Sequence, residues 1–144
     1  MEKPAKTTTF LELHVPDFEK AKEYYGKLGF KTIWERKPDG FKGYLVLKMQ
    51  NNILCMWGGN NEIYNHPYLK KYSKTTKRGY GVEIVLVVKN VAKLYEKVKD
   101  FVNVVEPLVI QPWGVSDFRI EDPFGFYIRI SDPYNTLHPK YAIK

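Results

Sequence analysis

Glu12 and His14 stand two residues apart in the run 8–15, where Leu11, Leu13 and Val15 alternate with Phe10, Glu12 and His14. That period belongs to a half-buried strand, so Glu12 and His14 share the side away from the apolar set. A histidine beside a carboxylate is the makings of a general base. A lone strand histidine more often serves as a structural hydrogen-bonding group, and that reading is preferred. Trp57 and Trp113 offer indole faces to a flat ligand. Trp57 reads as a core residue, whereas Trp113, before Gly114 at a strand start, suits either role. Cys55 shares the parity of Ile53 and Trp57, which are expected to face a helix, so it reads as a small core residue and not a nucleophile. His66, in Asn65-His66-Pro67, and His138 read as loop residues. Asp117 and Arg119 alternate with Phe118 and Ile120, which points them toward the ligand side. No phosphate loop, nucleophile elbow or dinucleotide fingerprint is present.

The elements that must position these residues form a repeat of about 73 residues. In each copy an apolar strand runs into a helix cap and an amphipathic helix, at 13–21 and again at 86–94. Asp17 is a good N-cap, and Phe18, Ala21, Tyr24, Tyr25 and Leu28 recur at helical spacing before Gly29 stops the helix. Extended runs at 31–36, 44–49 and 53–57 follow, separated by turn-forming residues. The second copy has a strand at 82–88 and a helix at 91–101 with Val91, Leu94, Tyr95, Val98 and Phe101 inward. Strands at 104–110, 115–120 and 126–131 complete it, the last two joined by the turn Asp122-Pro123-Phe124-Gly125. The pattern predicts an α+β protein of two tandem βαβββ modules, with curved sheets around a cavity. As a single domain it comprises module one at about 8–58, a linker at 59–80 with a short helix near 68–72, module two at about 81–133, and an irregular tail at 134–144.

A chain of 144 residues with 44% hydrophobic and 27% charged residues suits one compact globular domain. No apolar run is long enough to span a membrane, and the N-terminal residues lack a signal-peptide core. Its one cysteine excludes an internal disulfide and a cysteine-based zinc site, and cytoplasm is the default location. The net charge of +7 is densest at 60–80, where five Lys/Arg face one acidic residue. Lys70, Lys71, Lys74, Lys77 and Arg78 read as a solvated linker face and not as a nucleic-acid site, since no aromatic-and-basic ladder accompanies them.

Several stretches carry a resemblance. They are Val15-Pro16-Asp17, Tyr24-Tyr25 and Leu28-Gly29-Phe30 in the first half. In the second half they are the run 78–84, Pro112-Trp113-Gly114 and the run 122–130. With these residues the chain resembles the vicinal oxygen chelate superfamily of glyoxalase I, bleomycin-resistance proteins and extradiol dioxygenases. The resemblance implies paired βαβββ modules, commonly in a homodimer. Metal-dependent members place ligands at four equivalent positions, which fall here at Phe10, Met56, Glu83 and Arg129. Phe10 and Glu83 are 73 residues apart, as are Met56 and Arg129.

A divalent cation needs several imidazole or carboxylate ligands, and only Glu83 qualifies. Phe10 has no lone pair, Met56 offers a soft thioether, and Arg129 would repel a cation. The expectation is therefore no metal and no cofactor, with Glu83 and Arg129 forming a partly buried charge pair. A displaced metal site at Glu12, His14 and Glu83 is the less favoured arrangement. The nearest relatives implied are metal-free, bleomycin-resistance-like binders, although a pI of 9.3 argues against bleomycin itself. The expected function is sequestration of a small organic molecule in the cup between the modules. Phe10, Met56 and Trp113 would give apolar contact, and Glu12, His14, Glu83 and Arg129 polarity. The alternative is a lyase, isomerase or dioxygenase that uses a shifted metal site or an acid–base pair.

Overall fold

The computed structural model describes residues 9–134, and the chain divides into two compact units between Arg78 and Gly79. In the first unit β1 (Glu12–Val15) leads into α1 (Phe18–Leu28), followed by β2 (Lys31–Arg36), β3 (Gly43–Met49) and β4 (Asn52–Gly58). The sheet order is β1-β4-β3-β2, with β1 parallel to β4 and the other pairs antiparallel. Asp17 accepts a hydrogen bond from the Lys20 amide at 3.0 Å, which satisfies one of the orphan donors of the first turn. Gly29 ends the helix at φ +106°, a conformation that favours glycine.

One face of this sheet lies under α1. The fit is close: a Cβ placed on Gly43 would meet Phe18 Cε2 at 2.9 Å and also collide with the Gly58 carbonyl oxygen. The face that carries Gly43 also carries Leu45, Leu47 and Met49, and through the register it includes Leu54 and Met56. Phe18, Ala21, Tyr25 and Leu28 cover it. The opposite face carries Glu12, His14, Tyr44, Val46, Cys55 and Trp57.

The segment after β4 packs back onto this unit. Asn60 caps a short 3-10 helix, Asn61–Asn65, and Ile63 is buried at 1% exposure against Gly58. A second 3-10 helix, Leu69–Lys71, falls in the span expected to be helical, while the first was not anticipated.

The second unit repeats the plan: β5 (Glu83–Val87), α2 (Val91–Val98), β6 (Asn103–Ile110), β7 (Ser116–Glu121) and β8 (Tyr127–Ser131), in the order β5-β8-β7-β6. Tyr95 of α2 packs on Phe118 with ring centroids 5.0 Å apart, so the Phe118 and Ile120 face is the helix-covered one. Helix α2 stops at Val98, which leaves Phe101 beyond its end and 39% exposed, not inward as its spacing suggested. The Asp-Pro-Phe-Gly turn is held by one buried carboxylate, since Asp122 Oδ1 accepts from the amides of Phe124 (2.9 Å) and Phe126 (2.8 Å). Among the described residues eight strands and two α-helices thus form an α+β arrangement of two βαβββ units. Among the described residues no helix is long and apolar enough to cross a membrane. His138 and the tail beyond Tyr134 lie outside the described residues.

Because Phe18 and the Gly58 carbonyl leave no space for a methyl group on Gly43, Gly43→Ala is expected to destabilise the protein by about 1–3 kcal/mol. Urea denaturation measures it, and an unchanged midpoint would mean that α1 does not seat on β3 this closely.

Candidate functional site

The register between the first and last strand of each unit decides which residues reach the face away from the helix. In the first unit Glu12 pairs with Cys55 and Leu13 with Met56. In the second, Val85 pairs with Arg129 and Leu86 with Ile130. The helix caps Asp17 and Asn90 are 73 residues apart, which makes Glu12 the counterpart of Val85. The counterpart of Arg129 is therefore Cys55, 74 residues away, because the second unit carries one more residue before its last strand. A one-residue slip moves a side chain to the other face. Met56 consequently lies in the core under α1 at 0% exposure, not among the ligand-facing residues. The same inversion corrects Cys55 and Trp57, which were expected to face the helix. Cys55 is buried as expected, but on the opposite face, and Trp57 stands there half-buried.

On that face of the first unit Glu12 is a hub. Its Oε1 accepts from the Tyr44 hydroxyl at 2.7 Å and its Oε2 from the Trp57 indole N–H at 2.9 Å. With both oxygens engaged, Glu12 is a poor metal ligand, and it does not hydrogen-bond His14. Burial, supplemented by hydrogen bonds to Cys55 and Glu12, pushes the Tyr44 hydroxyl well above its ordinary pKa, so it remains a donor. His14 lies nearly parallel to Trp57, with 13° between ring planes, and edge-on to His66 at 5.2 Å. Its Nδ1 is buried with no hydrogen-bond partner. Burial lowers its pKa first and His66 second, against an opposing pull from Glu12, so the ring is neutral at pH 7.

These side chains open onto a cleft of about 720 Å³ lined also by Arg36, Phe41 and Lys42. His66, read as a loop residue, enters the cleft because Asn60 and Ile63 fold its segment back. Phe41 meets the His66 ring at 5.3 Å. Arg36, Tyr44, Phe41 and His66 are the residues that sequence reasoning missed. The alternation Leu45, Leu47, Met49 carried the signal for Tyr44, since it assigns Tyr44 to the uncovered face.

In the second unit the corresponding face holds a charged network. Arg119 Nε donates to Glu83 Oε1 at 2.9 Å, and its Nη1 donates to Glu106 Oε2 at 2.6 Å. Arg129 Nε lies 3.5 Å from the same Glu83 oxygen and makes no hydrogen bond. The Glu83–Arg129 pair exists, but Arg119 is the closer partner. Asp117, 1% exposed, accepts from Gln111 at 2.7 Å and lies 3.8–3.9 Å from both guanidiniums. Burial opposes the charge on Arg119, and Glu83 more than offsets it, so the pKa rises further. Phe10 and Trp113 are exposed at 60% and 42%.

The positions at which related folds ligate a cation do not fit one here. Phe10 has no donor atom, Arg129 is cationic, and the Glu83 oxygen is shared by two guanidiniums. The Cys55 thiol, which takes the register-matched place of Met56, is the one remaining donor among the four, and one is too few to hold an ion.

Paired βαβββ units with a polar, aromatic-rich uncovered face define a glyoxalase-type fold. The sequence model of the Glyoxalase/Bleomycin resistance protein/Dioxygenase superfamily matches residues 8–130, and the chain belongs to that family. Among solved structures it is similar to a hypothetical protein from S. aureus, at 22% identity over 90% of this chain and 96% of that one, with a TM-score of 0.64. A bleomycin-binding protein complexed with bleomycin gives 17% identity over 90% and 100%, with a TM-score of 0.62. A glyoxalase-related enzyme from Fulvimarina pelagi gives 20% over 90% and 89%, with a TM-score of 0.64. At these identities the likeness is one of fold. No curated protein matches the chain.

Removing Arg119 strands two carboxylates, so Arg119→Met is expected to cost about 1–3 kcal/mol in denaturant unfolding. A loss within about 0.5 kcal/mol, the range of ordinary surface changes, would show the network to be dispensable. His14 gives a pH signature. Its folded pKa lies below the ordinary 6.5, so the unfolded chain takes up this proton first as pH falls. The stability contributed is complete above that value and declines below it. Unfolding measured across this range should show His14→Gln with a flatter acid-side decline than the unsubstituted protein, and an identical slope would refute the assignment.

Proposed function

We propose that the protein binds and sequesters a small organic molecule without a resident metal, acting as a binding protein and not as an enzyme. One observation carries the reading. The single carboxylate suited to ligate a cation, Glu83, is held by Arg119 at 2.9 Å and approached by Arg129 at 3.5 Å. A cation there would meet two guanidiniums that cannot be deprotonated. The cleft volume of about 720 Å³ falls in the range of organic-ligand sites. The bleomycin-binding protein of the same fold supports the class of function, while the basic pI of 9.3 points to a different ligand.

In this reading Trp57 gives apolar contact, and Glu12 and His14 give polarity, within the first unit's cleft, whose lining does not include Phe10, Trp113, Glu83 or Arg129. Met56 drops out, being core. A homodimer in the cytoplasm completes the proposal, and the single buried thiol suits a reducing compartment. An acid–base enzyme is less well supported, because Glu12 is bonded to Tyr44 and Trp57 and leaves His14 without an orienting carboxylate.

A thermal-shift screen of aromatic antibiotics, thiol conjugates and small carboxylates, on protein kept in chelator, tests this. A true ligand at a hundred times its Kd should stabilise the fold by about 2.7 kcal/mol and raise the Tm saturably. Binding or turnover that appears only when zinc, nickel, manganese or iron is supplied would overturn the proposal.

A further inference from the structure

We infer that the ligand is a flat aromatic molecule bearing a single negative group, taken up in the first unit's cleft with its anion against Arg36. The inference rests on the small-molecule reading above and deepens it.

Arg36 stands apart from the other cations that line sheet faces. Arg119 has Glu83 and Glu106 as partners, and Lys22 has Glu19 and Glu35. Arg36 has none among the described residues. Its Nε donates to the Lys42 carbonyl at 2.8 Å, which fixes the head group through the backbone. Its Cζ lies 5.4 Å from the Trp57 ring centroid and 5.9 Å from those of Trp34 and Tyr44. A guanidinium placed over aromatic rings keeps its plane and its charge, and its terminal nitrogens remain available for a bidentate anion.

The local charge supports one negative group. Arg36, Lys37 and Lys42 line the cleft against Glu12 and Asp39, an excess of a single positive charge among the Lys, Arg, Asp and Glu side chains. Neither lysine pairs with a carboxylate among the described residues. Both Glu12 oxygens already accept from Tyr44 and Trp57, so this carboxylate is turned into the sheet's own bonding. The walls supply the aromatic preference. Phe41, His66, His14 and Trp57 form a connected set of rings, each within 6.5 Å of the next. Imidazole, indole and phenyl faces alike can stack on a flat ring.

Isothermal titration of the full chain in chelator, near neutral pH, tests the inference with four compounds: naphthoate, naphthylmethanol, naphthylmethylammonium and cyclohexanecarboxylate. Naphthoate is expected to bind at least about tenfold more tightly than the alcohol and than the aliphatic acid, with no measurable binding of the ammonium. Arg36→Gln should reduce naphthoate affinity about tenfold, to that of the alcohol, while changing the alcohol less than about twofold. Phe41→Ala, in the cleft lining, should weaken naphthoate and alcohol together. Equal or tighter binding of the alcohol or the ammonium would overturn the ligand class and leave small-molecule binding standing. Unchanged naphthoate affinity in Arg36→Gln, with its Tm preserved, would overturn the role of Arg36. Failure of all four to bind would also overturn the inference, and the broader screen would then decide separately whether any organic ligand is bound.

Discussion

A β-strand has two faces, and a single helix covers only one of them. In each unit the covered face is apolar and closes the core: Leu45, Leu47, Leu54 and Met56 under α1, Phe118, Ile120, Ile128 and Ile130 on the α2 side. Burying each such side chain contributes roughly 1.5–3 kcal/mol, which makes the parity of every strand expensive to reverse. The uncovered face is consequently free of the packing demand and can hold groups that do other work. Glu12, His14, Tyr44 and Trp57 stand there because Leu13, Leu45 and Met56 are needed on the other side. Function in this fold is written on the residues that the core leaves over.

The two uncovered faces solve the problem of charge differently. In the second unit two arginines oppose each other across β7 and β8, a like-charge pairing that is unfavourable on its own. Glu83, Glu106 and Asp117 surround them, so both guanidiniums lie against carboxylates of their own unit. In the first unit the carboxylate of Glu12 is consumed by neutral donors, and Arg36 is held by a backbone carbonyl and aromatic rings. One face therefore presents satisfied charge and the other an unanswered cation beside ring systems. A small molecule gains more from the second arrangement, since no existing ion pair must be broken to admit it.

Much of this was legible in the sequence, and what was not has a physical reason. Asp17, Gly29 and the Asp-Pro-Phe-Gly turn act locally, through bonds that close within a few residues, and their positions matched expectation. The strands were found for the same reason, since alternation is local. Parity in β4 was not, because Ile53, Cys55 and Trp57 are as apolar as Leu54 and Met56, and hydrophobicity cannot orient a strand that is apolar on both faces. Only pairing to β1 and β3 settles it, and pairing is a long-range fact. The 73-residue spacing held through the helix caps and failed by one residue at the last strand, which was enough to replace Cys55 by Met56. His66 was hidden for a related reason: the buried Ile63 that folds its segment back is one apolar residue in a polar stretch.

The basic segment shows how charge density can mislead without tertiary context. Lys71 lies 4.2 Å from the Tyr68 ring centroid and 5.2 Å from that of Tyr72. Lys74 and Arg78 lie 5.2 and 5.4 Å from that of Tyr64. Each such contact contributes about 0.5–1 kcal/mol at an exposed site. Tyrosines of the same stretch are thus the partners of these cations in the fold. What reads as a run of unpaired positive charge is a segment that holds itself together through its own rings. Lys70, Lys71, Lys74 and Lys77 all stay exposed, so the rings anchor the segment without withdrawing its charge from solvent. The cationic character that bears on ligand choice lies instead around Arg36, where the count of charges is modest and their availability is high.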